Sequence, residues 1–221
     1  ININPNDKYI FSSSLYGTNN KYVEGAFKTS DYIKEHFPMW KFRLYCHDKL
    51  DQSIINKLVN NNIQVVIVSD NLVKAGNSSG MFWRFLPLSE NINFISIDTD
   101  EDFNKIGITP KNINKWIQSD KKYFKVYNTN PYPWPKTHIP GGIFGKKGSQ
   151  MINRKTITNY PHRSSFGADE LFIQKMIYTD IVKNGIMTFY PNILSKIIKK
   201  LYNKNNSEIN KYDDNNVEYS F

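Results

Sequence analysis

Cysteine is nearly absent from this chain of 221 residues, in which Cys46 is the single example. One thiol cannot form an internal disulfide, so small secreted domains held together by disulfides are excluded. No basic segment followed by an apolar segment opens the chain, so we expect a reducing, cytoplasmic location. Because residue 1 is Ile and not Met, we also expect the chain to be part of a longer polypeptide.

Long hydrophobic runs are missing as well. The longest aliphatic run covers residues 65–68, and a membrane-spanning helix needs roughly 20 apolar residues, so we expect no transmembrane segment. Glycine (11 residues) and proline (10 residues) are too few for a collagen-like or low-complexity chain. The composition is that of a globular protein, and we predict one domain over residues 1–202 followed by a polar tail over 203–221.

Acidic residues are in deficit: 20 Asp and Glu oppose 29 Lys and Arg, for a formal charge of +9. Such a charge favours polyanionic partners, which include nucleic acids, anionic headgroups and diphosphates. The lysines are scattered along the chain, and no nucleic-acid-binding motif is present. A basic nucleic-acid-binding protein therefore stays an alternative, and we expect no nucleic acid as partner.

The first half of the chain alternates short apolar runs with helical patterns. Strands are predicted at residues 8–14, 42–46, 63–68 and 92–97, with amphipathic or apolar segments between them. This alternation predicts an α/β fold in which a mostly parallel sheet forms the middle of a three-layer sandwich. Ligands of such sheets lie beyond the carboxyl ends of the strands.

The pattern changes after residue 102. A helix is predicted at 110–118 and a strand at 123–127, before a stretch rich in proline from 131 to 140 that fits neither a regular helix nor a central strand. A Gly-Gly-Ile-Phe-Gly turn follows at 141–145. The last predicted helix covers 168–181, and its spacing predicts one buried face that contains Leu171, Phe172, Met176 and Ile177.

Asp98 and Asp100 are the strongest local signal of a functional site, because they directly follow the predicted buried strand at 92–97. Two carboxylates that are separated by one residue can bind one hard cation. Mg²⁺ or Mn²⁺ held in this way also binds phosphate oxygens. A solvated acidic loop would show the same triplet.

Two other sites could use these carboxylates. A calcium-binding EF-hand loop that starts at Asp98 needs Gly at the position of Phe103 and Glu at the position of Thr109, so it fails twice. In a haloacid-dehalogenase-type phosphatase, Asp98 would be the nucleophile and Asp100 the acid. That motif would normally have Thr or Val where this chain has Asp102.

Several further segments occur around this triplet in a fixed order. Together they resemble the small GT-A-type glycosyltransferase domains of large DNA viruses and bacterial polysaccharide loci, over about residues 8–182. The segments that carry the resemblance are Ser-Leu-Tyr-Gly at 14–17, Phe-Trp-Arg at 82–84, Asp-Thr-Asp at 98–100, Trp116 with Ser119, Gly-Gly-Ile-Phe-Gly at 141–145, and Asp169 with Glu170.

The resemblance implies a Rossmann-like GT-A fold and a metal-dependent hexosyltransferase. The donor would be a nucleotide sugar, with a UDP-sugar favoured, and the acceptor a glycan or another hydroxyl compound. The nucleotide-binding half would be about residues 8–102 and the acceptor-side half 103–202. A viral protein of this kind would act in the host cytoplasm.

The resemblance also assigns roles to individual residues. Asp98 and Asp100 would hold Mn²⁺ or Mg²⁺, and Asp169 and Glu170 would be catalytic, either by orienting the transferred sugar or by deprotonating the acceptor. Residues expected to contact the donor are Ser13, Leu15, Tyr16, Arg84, Asp98, Thr99, Gly141 and Gly142.

The chain departs from the family pattern at two places. Ile97 stands where Arg often precedes the first Asp, and Glu101-Asp102 stands where Ser-Arg often follows the second. A late His often completes the metal shell, but no His follows His162.

Each assigned residue also has a structural interpretation. Tyr16 could serve packing, Arg84 could form a salt bridge with Asp98, and the glycines could form an ordinary turn. Asp169 could be a helix N-terminal acid that the helix dipole stabilises.

Lys146 could help Arg84 to neutralise a diphosphate, and His138 could touch the acceptor. A metal-dependent nucleotidyltransferase or phosphatase would use the same aspartates.

Overall fold

The computed structural model describes residue 4 and residues 6–17, 19–69, 78–126, 139–161 and 167–189. Its elements in chain order are β1 (Tyr9–Leu15), α1 (Asn20–His36), β2 (Lys41–His47), α2 (Gln52–Asn60), β3 (Gln64–Val68), a 3₁₀ segment (Ser78–Ser89), β4 (Asn93–Ser96), α3 (Pro110–Gln118), β5 (Tyr123–Val126), a short 3₁₀ turn (Pro140–Gly142), β6 (Phe144–Lys146), α4 (Arg154–Thr158), α5 (Ala168–Met176), α6 (Tyr178–Lys183) and β7 (Ile186–Phe189).

The strands form one sheet in the order β3-β2-β1-β4-β6-β5-β7. Neighbouring strands run parallel except at β6, which is antiparallel to both β4 and β5. The predicted α/β fold with a mostly parallel sheet is confirmed. The sequence patterns did not predict β6 and β7, because strands of three or four residues show too little alternation to stand out.

Apolar side chains cover both faces of the sheet, which makes the fold a three-layer sandwich. Side chains alternate between faces along a strand, so that in β1 Phe11 and Leu15 join one core and Ile10 joins the other. The first core lies against helices α1, α2 and α3, with buried residues such as Ile33, Leu58 and Trp116. The second lies against the 3₁₀ segment and the last helices, with Phe85, Phe172 and Ile181.

Local sequence signals explain where the helices begin and end. The Asn19 side chain accepts a hydrogen bond from the backbone N–H of Lys21, which caps α1. That helix ends at His36, two residues before Pro38, as proline requires. In α3, the Thr109 side chain caps the helix and Pro110 occupies its first turn, where its missing N–H costs nothing.

The predicted helix at 168–181 is not continuous and its predicted buried face is wrong in part. The chain breaks it at Ile177 into α5 and α6. Leu171 and Met176 are 48% and 42% exposed, whereas Phe172, Ile173 and Ile177 are buried. The helix is rotated so that Asp169 faces inward, since residues three and four apart share a face.

The structure bears on two further predictions, which concern the strand at 123–127 and transmembrane segments. The predicted strand at 123–127 is found as β5, although residue 127 and the proline-rich stretch at 131–138 lie outside the described residues. Within the part of the chain that the structure describes, no helix is both long enough and apolar enough to span a membrane.

Candidate functional site

The candidate site lies at the carboxyl edge of the central strands. β1 and β4 are adjacent and parallel, with Ser12 opposite Ser96, so the chain segments that leave them run side by side. Tyr16 follows β1 and Asp98 follows β4. The antiparallel strand β6 starts at this same edge, because Phe144 lies opposite Ser96. The glycine turn that precedes β6 therefore reaches the same place.

Arg84, in the 3₁₀ segment, joins three of the predicted site segments. Its Nη1 donates a short hydrogen bond to Oδ1 of Asp98. Its Nη2 lies 2.5 Å from Oδ2 of Asp169 and 2.7 Å from the carbonyl oxygen of Gly141. The arginine is only 2% exposed. The structural interpretation of Arg84, a salt bridge to Asp98, is thus confirmed. The guanidinium donates hydrogen bonds to protein groups and does not face solvent.

Serines of β1 hold the backbone of Arg84 in place. The Ser12 hydroxyl donates to the Arg84 carbonyl oxygen at 2.7 Å, and the Arg84 N–H donates to the Ser14 hydroxyl at 2.9 Å. Ser13 and Leu15 alternate with them, and both are buried on the opposite face of the sheet. Any contact of Ser13 or Leu15 with a donor would therefore come from main-chain groups.

The turn at Gly141 and Gly142 requires glycine at both positions. Their φ angles are +55° and +65°, in the left-handed region that favours glycine. A Cβ atom on Gly142 would lie 2.8 Å from Cζ of Phe85 and 2.9 Å from Nη2 of Arg84. The N–H of Gly141 donates to Oε1 of Glu170 at 2.7 Å. Both carboxylates that open α5 therefore hold the site together, Asp169 through Arg84 and Glu170 through the turn.

The Asp-Thr-Asp turn rests on the first three turns of α1. The hydroxyl of Thr29 donates to the Thr99 carbonyl oxygen at 3.2 Å. A Cβ atom on Gly25 would lie 2.4 Å from that oxygen, so the backbones are in close contact. Nζ of Lys21 lies 2.6 Å from Oδ2 of Asp100. Asp98 and Asp100 therefore each have a cationic partner, and the two partners come from different elements.

Tyr16 is held by aromatic packing, and part of its surface stays accessible. Its ring lies against Gly80, where a Cβ atom would come within 2.3 Å of the tyrosine Cγ. Trp83 meets it edge-on with ring centroids 6.1 Å apart, and Trp83 in turn stacks on His47 at 5.8 Å. The interpretation of Tyr16 as a packing residue is therefore confirmed. The accessible part of its ring leaves room for stacking on a nucleotide base.

Burial and neighbouring charges shift the pKa values of the central ion pairs. Partial burial raises the pKa of Asp98, and the carboxylates of Asp169 and Asp100 add to the shift, while Arg84 opposes it. For Arg84, burial acts to lower the pKa, but Asp98 and Asp169 outweigh it, so the pKa is raised and the guanidinium stays charged.

The site is acidic although the chain as a whole is basic. Glu101, half-buried beside the aspartates, has its pKa raised to about 7 by burial and by the charges of Asp98 and Asp100. Among the residues that the structure describes, five carboxylates surround two cations, which leaves negative charge to be neutralised. The carboxylates are those of Asp98, Asp100, Glu101, Asp169 and Glu170, and the cations are Lys21 and Arg84.

Two of these carboxylates suit a magnesium or manganese ion. Among the described residues, no group of three or more His, Cys, Asp or Glu side chains is arranged to hold a metal. Mg²⁺, however, is usually bound by one or two carboxylates, with waters and substrate phosphates as its other ligands. Asp98 is 39% exposed on its side chain despite its bond to Arg84, and Asp100 lies two residues on. The donor set fits such an ion when phosphate is present.

Lys146 does not belong to the site. It lies in the inner strand β6 opposite Phe94, near the start of β4 and so toward the other end of the strands from Asp98. Its side chain is fully buried, and Nζ donates to the carbonyl oxygens of Glu90, Gly148 and Ser149 at 3.1, 2.6 and 2.7 Å. The expected contribution of Lys146 to binding of a diphosphate is therefore wrong.

Two further residues of the resemblance have structural roles, Trp116 in the core and Ser119 at the C-terminal end of α3. Trp116 is buried and meets Phe124 edge-on at 4.8 Å, and the Ser119 hydroxyl donates to the Trp116 carbonyl oxygen. His138 lies outside the described residues.

Sequence reasoning missed Lys21 and Glu101. Lys21 stands directly after the first βα connection, which is a signal that could have identified it, because anions bind at such helix starts. Glu101 is adjacent to Asp100, but its burial depends on packing that no local pattern shows.

Comparison with known protein families and with curated sequences finds no match to this chain. Among solved structures, the crystal structure of HddC from Yersinia pseudotuberculosis is similar to it at 16% sequence identity and a TM-score of 0.35. The match covers 74% of this chain and 83% of HddC. A similarity at this level supports no assignment of function, so the proposal below depends on the site geometry and on the sequence resemblance.

Proposed function

We propose that this protein is a metal-dependent GT-A-type glycosyltransferase that takes a sugar from a nucleoside-diphosphate donor, with a UDP-sugar favoured. The observation that carries the proposal is the set of contacts around Arg84. They join the Phe-Trp-Arg segment to Asp98, to Gly141 and to Asp169, which lie 14, 57 and 85 residues away in the sequence. Segments that carry the sequence resemblance thus meet at one edge of a parallel sheet, where ligands of such sheets bind.

The charge of the site supports a divalent cation. A nucleoside diphosphate would be repelled by the excess of carboxylates unless a cation enters with it. Mn²⁺ or Mg²⁺ on Asp98 and Asp100 would neutralise the leaving diphosphate. Neither Arg84 nor Lys146 can do this, because both side chains are buried and bonded to protein groups.

The remaining groups would bind and position the donor. The accessible face of Tyr16 would stack on the base, and main-chain groups of Ser13, Leu15 and Thr99 would contact the nucleotide. Gly141 is half-buried and carries no side chain, which permits close approach of the sugar, whereas Phe85 and Arg84 fill the space beside Gly142.

In the reaction, the bond between the sugar C1 and the diphosphate oxygen breaks, and a bond from C1 to the acceptor hydroxyl oxygen forms. The hydroxyl proton passes to a base or to the leaving diphosphate. Asp169 and Glu170 stay the candidates for orienting the sugar. Their hydrogen bonds to Arg84 and to the Gly141 N–H favour action through positioning over direct proton transfer. The acceptor would be a glycan or a glycosylated molecule.

Binding of the cation and donor can be tested by calorimetry and thermal shift. UDP-, GDP-, CMP- and dTDP-sugars are titrated with Mn²⁺ and with EDTA, and one donor should raise the melting temperature only with Mn²⁺. Asp100→Asn should weaken this binding by at least about 100-fold, since loss of even an outer partner costs 10–100-fold in metal affinity. Asp102→Asn is the matched control, because Asp102 pairs with Lys105 and not with the site.

The released product separates this function from the alternatives. A glycosyltransferase releases a nucleoside diphosphate when donor and acceptor are supplied. Release of pyrophosphate or phosphate would instead identify a nucleotidyltransferase or phosphatase that uses the same aspartates. Wild-type binding by Asp100→Asn would remove the metal assignment.

A further inference from the structure

Lys21 and Asp100 form the most accessible ion pair of the candidate site. Nζ of Lys21 lies 2.6 Å from Oδ2 of Asp100, and the lysine side chain is 66% exposed. A lysine side chain in water has a pKa of about 10.4, so Lys21 is an ammonium ion at neutral pH. An exposed, flexible lysine can leave such a pair at little cost, because exposed ion pairs contribute little to stability.

The position of Asp100 puts Lys21 in competition with the proposed cation. A divalent ion bound by Asp98 and Asp100 would take the carboxylate oxygens that Lys21 now neutralises. By contrast, Arg84 holds Asp98 from the buried side and is also bonded to Asp169 and Gly141. Two cations contact these aspartates among the described residues, and Lys21 is therefore the one of them that can move.

A displaced Lys21 would remain next to the donor diphosphate. A cation on Asp100 also binds phosphate oxygens, which brings them within a few ångströms of the ammonium group. Lys21 lies in the first turn of α1, where the positive end of the helix dipole favours anions. A groove of about 330 Å³ beside Lys21, Gly25, Asp100 and Glu101 leaves room for the side chain to shift.

We propose that Lys21 is an exchangeable counter-ion of this site. It neutralises Asp100 while no divalent cation is bound, and it pairs with the donor diphosphate once the cation has taken its place. This inference rests on the proposed function. It assigns to Lys21 the phosphate contact that the resemblance assigns to Arg84, and it accounts for an exposed lysine bonded to an aspartate of the Asp-Thr-Asp turn.

The proposal predicts opposite effects on two ligands. In Lys21→Met, Mn²⁺ alone should bind about two- to fivefold more tightly, because a competing cation is gone. The nucleoside diphosphate, titrated at saturating Mn²⁺, should bind about fivefold or more weakly, because a charge-assisted contact is lost. Lys21→Arg should restore most of the nucleotide affinity, since the charge is kept.

Lys105→Met is the matched control. Lys105 is also an exposed lysine, and it pairs with Asp102 at 3.1 Å, so the variant loses the same charge near the same turn. Both variants and the wild type are titrated by calorimetry with MnCl₂ and then with UDP and GDP in the presence of Mn²⁺. Opposite shifts in Lys21→Met that Lys105→Met does not show support the proposal.

Two outcomes overturn it and are distinguishable. If the wild type binds nucleotide only with Mn²⁺ but Lys21→Met behaves like Lys105→Met in either titration, the role of Lys21 is wrong and the proposed function stands. If the wild type binds neither UDP nor GDP with Mn²⁺, the proposed function fails and the inference fails with it.

Discussion

Oδ2 of Asp169 lies 2.5 Å from Nη2 of Arg84, although 85 residues separate them in the sequence, and both side chains are buried. This contact changes the interpretation of Asp169. A helix N-terminal acid in water gains only about 0.3–1 kcal/mol from the helix dipole. An acid that neutralises a buried guanidinium contributes more, because its removal leaves a charge buried with one partner fewer.

Asp169→Asn should therefore lower the free energy of unfolding by about 2–4 kcal/mol, more than a helix-dipole effect. Urea denaturation measures this, with Asp120→Asn as the control, because Asp120 is an exposed acid that lies 3.8 Å from Nζ of Lys121. The same variant should reduce turnover by on the order of 100-fold, because Arg84 and Asp98 lose their fixed positions. A loss below about 1 kcal/mol would show that the ion pair contributes little.

Gly142→Ala should destabilise the protein more than Gly148→Ala. Both glycines have φ near +60°, so alanine at either position carries the same left-handed strain, about 1–2 kcal/mol. A Cβ at Gly142 would also contact Phe85 and Arg84, whereas at Gly148 nothing lies within 4 Å. The contacts should add about 1–3 kcal/mol. Equal midpoints of the two variants in urea would contradict this packing.

The thiol of Cys46 should not react with a disulfide reagent while the protein is folded. The side chain is fully buried, and burial raises the pKa of Cys46 to about 12. The thiolate is the reactive species, so modification at pH 8 should follow the rate of unfolding. The unfolded protein in urea is the control and should react at once. Rapid reaction of the native protein with one equivalent of reagent would contradict the buried position.

Glu101→Gln should stabilise the metal-free protein at pH 8 but not at pH 4.5. The pKa of Glu101 is raised to about 7, so the folded state binds the proton more tightly than the unfolded state. The contribution of Glu101 to the free energy of unfolding is fully present at low pH and is lost as the pH rises toward 7. The glutamine variant avoids that loss, and its advantage over the wild type should grow between pH 4.5 and 7.

Asp102→Asn gives the opposite pH dependence and serves as the control. Lys105 lowers the pKa of Asp102, so this carboxylate stabilises the folded state above the pKa of the unfolded chain, and its contribution is lost on acidification. The deficit of Asp102→Asn should therefore shrink at low pH. Unfolding curves at pH 4.5, 6 and 8 test both variants. If Glu101→Gln shows the same pH trend as Asp102→Asn, the buried position of Glu101 is wrong.

The class of fold and the positions of the first four strands follow from local patterns in the sequence. Strands 8–14, 42–46, 63–68 and 92–97 were predicted within two residues of β1 to β4, since apolar runs bounded by turn residues depend on local chemistry. The triplet at 98–100 could be located for the same reason, because it follows directly from a buried strand. The metal, the donor and the catalytic roles remain predictions.

The contacts of the site residues, in contrast, depend on how distant parts of the chain pack together. Arg84, Asp98 and Asp169 are far apart in the sequence, and their pairing depends on the strand order and on the antiparallel course of β6, which no local pattern contains. Lys146 is the opposite case. It comes shortly after the glycine turn in the sequence, and yet it lies toward the other end of the strands from Asp98. Periodicity reports which side chains are apolar over a few residues, whereas the neighbours of a charged side chain depend on long-range packing.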